Sequence, residues 1–396
     1  MTIDGRRIDH FIESDEEKII EAEHLTLFPA LIDPHVHFRV PGAEHKETWE
    51  TAARAAIAGG ITTVFDMPNN TPSCYSAERL EKKIALIEEQ LKQAKIPLRY
   101  YLYLGADQAH LEEIPKVKDK IVGLKIYMGS STGDLLMHNE AALEKAFRIA
   151  AENDVVVAVH AEDEAMIEKN RKELTGTHPA IHSKIRNPAV AASALGQAIG
   201  LAKKYGTRLY VAHVSTREEI EWIRIAKKEG LAVYGEVSPH HLFLNDSAYE
   251  KLGSFALVNP PLRTALDNEA LWDAIHDETI DTVGSDHAPH TIEEKKRPYG
   301  KAPSGFPSIE LYFSLFLNAY HAKKISLDQI VSLTHTRPQE IFRIPLNEDI
   351  VLVDLEKKRT IDDAHLQTKV KWSPYAGMTV KGCPRYVILK GRVYTL

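Results

Sequence analysis

The sequence predicts an α/β fold: an eight-stranded β/α barrel carrying a small β domain built from both chain ends. Three observations predict it. Short apolar runs alternate with amphipathic helical segments through the middle of the chain, the pattern of a parallel sheet wrapped by helices. The runs number eight, at residues 30–36, 61–65, 98–102, 122–126, 155–159, 209–212, 232–237 and 280–284, the count a closed barrel needs. No glycine-rich dinucleotide fingerprint follows the first run, which argues against an open doubly wound sheet.

Taken in order, residues 1–28 carry short β-like pieces separated by turn residues. The run at 30–36 leads into DPHVHFR (33–39), and alternation along a strand sends His35, His37 and Arg39 to one side. Two imidazoles at that spacing can grip one metal ion. The second run leads into Asp66, Met67, Pro68 and Asn69; Leu80, Ile84, Ile87 and Leu91 then share one face of a helix ended by Pro97. The fourth run carries Lys125, and the fifth and sixth lead into His160 and His213. Ile220 and Ile223 open a helix that stops at Gly230; the seventh run holds Glu236, and the eighth leads into Asp286, His287 and His290. Beyond residue 347, pieces such as 350–354 and 386–389 read as strands again. The expected division is a composite β domain (1–28 with 347–396) around a barrel (29–346).

Composition excludes several function classes. A formal charge of -7 with interspersed acids and bases offers no stripe for nucleic acid and no polybasic tail for a membrane surface. The two cysteines, Cys74 and Cys383, cannot make a disulfide framework, and the opening MTIDGRRIDH lacks a signal-peptide core. No apolar run is long enough to span a bilayer. The expectation is a cytoplasmic enzyme with a small-molecule substrate and no nucleic-acid or membrane partner; a homo-oligomer stays open.

Barrels of this kind place their chemistry at the C-terminal tips of the strands. Metal-competent residues follow the runs repeatedly here, so His35, His37, Lys125, His160, His213, Glu236 and Asp286 are expected at one mouth. The segments DPHVHFRVPG, MPNN, GLKIYMG, VVAVHAEDE, VAHVST, EVSPHHLF, NPPLR and GSDHAPH, spread over residues 31–307, resemble the amidohydrolase superfamily and, within it, the dihydroorotases. The resemblance implies an eight-stranded TIM barrel holding two divalent ions, usually zinc. His35, His37 and Asp286 would bind the first ion, His160 and His213 the second, and Lys125 would bridge them as a carbamate. An ammonium cannot ligate a cation, but a desolvated amine can add carbon dioxide and become an anion with two oxygens.

The same resemblance gives Asp286 the catalytic proton-shuttle role and makes Arg39, with Asn69 and His290, a clamp for a substrate carboxylate. Asn259 in NPPLR would contact the ring. The implied reaction is the reversible closure of N-carbamoyl-L-aspartate to L-dihydroorotate in pyrimidine synthesis. The alternatives are another cyclic amidohydrolase (dihydropyrimidinase, hydantoinase or allantoinase) and a catalytically inactive scaffold. The arginine of HFR argues against the first, and the full set of candidate ligands against the second. Val40 and Asn70 depart from the family pattern. Glu236 is either a partner of a ligand or an additional ligand, and GSSTG (129–133) is either a plain loop or a mobile lid.

Overall fold

The computed structural model describes residues 2–3, 6–7, 11–13, 16–18, 20, 22–130, 135–137 and 139–396. Eight parallel strands follow one another around the barrel: β1 (Leu31–Val36), β2 (Ile61–Asp66), β3 (Arg99–Gly105), β4 (Gly123–Tyr127), β5 (Val157–His160), β6 (Leu209–Val211), β7 (Val233–Val237) and β8 (Ile280–Val283). Each lies beside its sequence neighbour, as the alternation of runs and helices predicts. The ring closes just past β8. His287 bridges Val36 in parallel, the His37 N–H donates to the His287 carbonyl at 2.8 Å, and the Ser285 N–H donates to the Asp33 carboxylate at 2.9 Å. β1 and β2 are buried along their whole length, the condition of a parallel strand covered on both faces.

The lumen is filled rather than open. Ile32, Phe65, Tyr103, Ala158 and Tyr210 pack there with Phe342, the last residue of helix Arg337–Phe342. The Phe342 ring meets Tyr210 at 4.8 Å and Phe65 at 5.0 Å, edge to face. This plug stops the N-terminal end of the barrel and leaves the C-terminal mouth as the place for chemistry.

The helices follow their apolar stripes. Ala77–Ala94 buries Leu80, Ile87 and Leu91, with Ile84 partly covered, and stops before Pro97 because Lys95 already adopts a left-handed turn (φ 55°). Arg217–Lys228 is opened by a reciprocal Thr216–Glu219 cap, buries Ile220 and Ile223, and ends before Gly230.

The chain ends pair with each other. Thr26–Pro29 lies antiparallel to Ile350–Thr360, with Phe28 opposite Val351, and Thr379–Leu389 and Arg392–Thr395 complete a four-stranded antiparallel sheet. Its inner residues Phe28, Val351 and Val387 join the same core as Phe313 and Phe316 of helix Tyr312–His321. Gly382 (φ 99°) lets the sheet cross that helix, since a Cβ there would lie 2.6 Å from the Cβ of Leu317. Among the described residues no helix is long and apolar enough to cross a membrane, and both cysteines are buried free thiols.

Candidate active site

At the C-terminal mouth, residues far apart in sequence line one small cavity. It holds His35, His37, Lys125, His160, His213 and Asp286, together with Arg39, Asn69, Asn259, Tyr127, Ser304 and Gly305. Strand alternation delivers His35 and His37 from β1 and Lys125 from β4, while His160, His213 and Asp286 stand at or just past the tips of β5, β6 and β8. Ligand atoms of His35, His37 and Asp286 all lie within 4.8 Å of one another. Asp286 Oδ1 is 3.4 Å from His35 Nε2 and 3.1 Å from His37 Nε2, and His160 Nδ1 is 2.9 Å from His213 Nε2.

Three of the four imidazoles are aimed by a partner on their other nitrogen. His35 Nδ1 is 2.7 Å from Glu236 Oε1, His37 Nδ1 is 2.7 Å from Asn69 Oδ1, and His160 Nε2 is 2.9 Å from Glu162 Oε2. Glu236 also accepts the His213 backbone N–H at 2.9 Å and the Tyr210 hydroxyl at 2.8 Å, so it orients His35 and the His213 backbone from beneath and does not line the cavity. Gly284 makes this possible: a Cβ there would lie 2.3 Å from Glu236 Oε2 and 2.7 Å from the His35 Cβ. Arg39, His213 and Asp286 all adopt positive φ (64°, 40° and 47°), a conformation that costs roughly 1–3 kcal/mol each and gathers at functional sites.

Burial governs the electrostatics. It lowers His37 to about 4, keeping the ring neutral at neutral pH, and pushes His213 well below its ordinary value. Burial also brings Lys125 down to about 8, against the attraction of Glu236 and Asp286, and its Nζ has no hydrogen-bond partner in the protein. Burial alone would raise Asp286, but His35 and His37 outweigh it and hold the carboxyl well below the usual range. Burial lowers Arg39 only to about 10, so the guanidinium stays charged. Glu162 resists the upward pull of burial because Arg186 and His160 face it, and stays ionised, at about 2.

On the opposite wall Arg39 donates from Nε to the Pro289 carbonyl at 3.1 Å and sets Nη2 3.1 Å from His290 Nε2. His290 does not line the cavity. It is buried behind Arg39, between the Ser304 carbonyl (3.0 Å) and Lys46 Nζ (3.0 Å), so the structure brings it to Arg39 but not to the cavity. Asn69 reaches the cavity with its carbonyl engaged by His37, and Asn259 reaches it with Oδ1 held by His182 Nε2 at 2.8 Å. The departures at Val40 and Asn70 meet: the Asn70 amide donates to the Val40 carbonyl at 3.0 Å, and Lys83 holds its oxygen at 2.7 Å. Of the 129–133 segment, Ser130 is tied to Glu164 and Arg186, and 131–133 lie outside the described residues.

Tyr127 belongs to the site and is absent from the expected set. Its hydroxyl is buried without a hydrogen-bond partner in the protein, and its ring lies 5.2 Å from Lys125 Nζ. The signal was available: the alternation that pairs His35 with His37 also pairs Lys125 with Tyr127 two residues on.

Comparison with known proteins fits this geometry. A sequence profile described as the amidohydrolase family matches residues 26–394. A dihydroorotase of Anaplasma phagocytophilum is 34% identical, the match covering 95% of this chain and 84% of the relative. A dihydroorotase of Halalkalibacterium halodurans is also 34% identical, covering 96% and 90%. Among solved structures, the L-hydantoinase (dihydropyrimidinase) of Arthrobacter aurescens superposes with a TM-score of 0.89 at 28% identity, covering 94% of this chain and 87% of that one.

Proposed function

The chain belongs to the amidohydrolase family, and on that premise we propose that it catalyses the dihydroorotase reaction, the reversible cyclisation of N-carbamoyl-L-aspartate to L-dihydroorotate. One observation carries the reading. A buried, charged guanidinium, Arg39, faces a metal-competent cluster of histidines, lysine and aspartate across one small cavity. A planar guanidinium can hold a carboxylate through parallel hydrogen bonds, and dihydroorotate carries one beside its cyclic amide.

The donor set fits two divalent cations, zinc above all. His35, His37 and Asp286 would hold one and His160 and His213 the other, His213 through the Nε2 that faces His160 Nδ1; the partnerless Nζ of Lys125 is the buried group that such ligation would satisfy. Bound there, the ions would polarise the amide carbonyl and acidify water. Lys125 would serve both ions as a carbamate: its neutral amine would add to the carbon of CO2, release one proton to solvent and become an anion. Burial favours that neutral amine.

In ring opening, the oxygen of water adds to the amide carbon and the ring C–N bond breaks. Asp286, held as a carboxylate, takes a proton from that water and returns it to the departing nitrogen. Arg39 holds the substrate carboxylate, Asn259 meets the ring, Asn69 steadies His37, and His290 supports Arg39 from behind. In the closing direction the same groups act in reverse and water leaves.

The structural similarity to a hydantoinase favours a second reading, ring opening of a substrate without the carboxylate. Zinc-loaded protein assayed on dihydroorotate, dihydrouracil, hydantoin and allantoin separates the two. Dihydroorotate is expected to be opened fastest; faster opening of any of the others would overturn the assignment.

A further inference from the structure

We propose that Lys295 is a positioning residue that ties together the two segments roofing the cavity and thereby governs substrate capture. The proposal rests on the dihydroorotase reading for its substrate. Lys295 closes the short helix Ile292–Lys295 and is fully buried. Its Nζ reaches three carbonyls, Leu257 at 3.0 Å, Pro303 at 3.0 Å and Gly305 at 3.3 Å, one for each N–H an ammonium carries. Among the described residues no carboxylate pairs with it; the faces of Phe306 and Trp372 lie 5.6 Å away.

A buried cation without a counter-ion is a poor stabiliser, and an apolar side chain of equal length would fill the same space at less desolvation cost. What the ammonium supplies is a simultaneous grip on two backbones. Leu257 precedes Val258 and Asn259, and Pro303 and Gly305 flank Ser304; Val258, Asn259, Ser304 and Gly305 all line the cavity. The Gly305 N–H donates to the Leu257 carbonyl at 2.9 Å, so the same two segments are joined twice. The Ser304 carbonyl meets His290 Nε2 at 3.0 Å, and that nitrogen lies 3.1 Å from Arg39 Nη2. Lys295 therefore sets the support of Arg39 through one segment and the position of Asn259 through the other. Burial, with Arg39 nearby, brings Lys295 down to about 7, so its hold on the segments rests on its donors to the three carbonyls.

The test compares the zinc-loaded parent with Lys295→Met and Lys295→Gln in steady-state kinetics and in amide hydrogen exchange. For Lys295→Met, KM for dihydroorotate should rise by about ten-fold or more while kcat changes by less than about three-fold, the mark of lost ground-state binding. Amides at 257–259 and 304–306 should exchange at least about ten-fold faster, with the barrel strands unaltered. Lys295→Gln, which keeps donors without charge, should fall between, and it carries both readouts if the methionine variant does not fold. Unchanged exchange in those segments, or a fall in kcat at constant KM, would overturn the proposal. If the parent does not turn over dihydroorotate, the functional reading fails, and the exchange contrast alone decides whether Lys295 ties the segments.

Discussion

Glu236→Gln probes whether the histidine cluster depends on a charge beneath it. In the native site Oε1 accepts from His35 Nδ1 (2.7 Å) and the His213 N–H (2.9 Å), and Oε2 accepts from the Tyr210 hydroxyl (2.8 Å). A glutamine can copy this shape. Its carbonyl takes the place of Oε1, and its NH2 faces the Tyr210 oxygen, whose proton can turn to Thr282 Oγ1 at 2.7 Å. The fold should therefore survive, and the loss is confined to charge. Hydrogen bonds to charged groups contribute about 1.5–3 kcal/mol against about 0.5–1.5 for neutral ones, so roughly 1–2 kcal/mol should be lost. That converts to about ten-fold weaker zinc binding, at the low end of the ~10–100-fold loss typical for partners of metal-binding histidines. Zinc titration of stripped protein against a chromophoric chelator measures it, with circular dichroism as the check on folding. Glu236→Ala should be worse, because two buried donors then lose their acceptor. An affinity for the glutamine variant within two-fold of the parent would refute the reasoning that Glu236 acts through His35.

Lys125→Ala should lose most activity and bind less metal, with partial recovery when a short carboxylic acid and excess zinc are supplied; full activity without them would dispose of the carbamate. Arg39→Met should weaken dihydroorotate binding by about 2–5 kcal/mol, the range for truncating one partner of a buried charged pair, and equilibrium dialysis reads it; unchanged affinity would remove Arg39 from the clamp. Asp286→Asn should lower kcat by about 10²-fold or more while the thermal transition stays in place. Near-parental turnover at saturating zinc would exclude Asp286 as the proton shuttle.

The candidate ligands were legible because two local rules coincide. Alternation puts His35 beside His37, and barrels gather chemistry at strand tips, so Lys125, His160, His213 and Asp286 could be expected at one mouth before any coordinate was known. The relations between side chains from different strands were not legible. Asn69 and His290 are expected together beside Arg39, yet Asn69 lines the cavity with its Oδ1 engaged by His37 while His290 stands behind Arg39. Which face of a loop residue meets solvent, ligand or neighbour is decided by packing across strands. Strand β3 runs on to Gly105, past the expected end at residue 102, because Tyr103 turns into the lumen and donates its hydroxyl to the Pro34 carbonyl at 3.2 Å. The role of Phe342 is likewise set by the space it fills.

Unmet hydrogen-bonding capacity and backbone strain gather at the mouth. Native interiors leave few polar groups unsatisfied. Here Lys125 Nζ, His213 Nδ1 and the Tyr127 hydroxyl lack protein partners, and all three residues border the same cavity. The left-handed backbone at Arg39, His213 and Asp286 adds roughly 1–3 kcal/mol of strain at each. Against a typical net stability of about 5–15 kcal/mol this is a large local penalty, tolerable only because the surrounding barrel is closed, plugged by Phe342 and densely packed. The rigidity that carries the strain also fixes these side chains around one cavity. A ligand at about 1,000 times its Kd returns roughly 4 kcal/mol to the folded state, comparable to the strain at two or three of these positions. The cluster is thus better explained as a site held ready for cations and an anionic ring than as a means of stabilising the barrel.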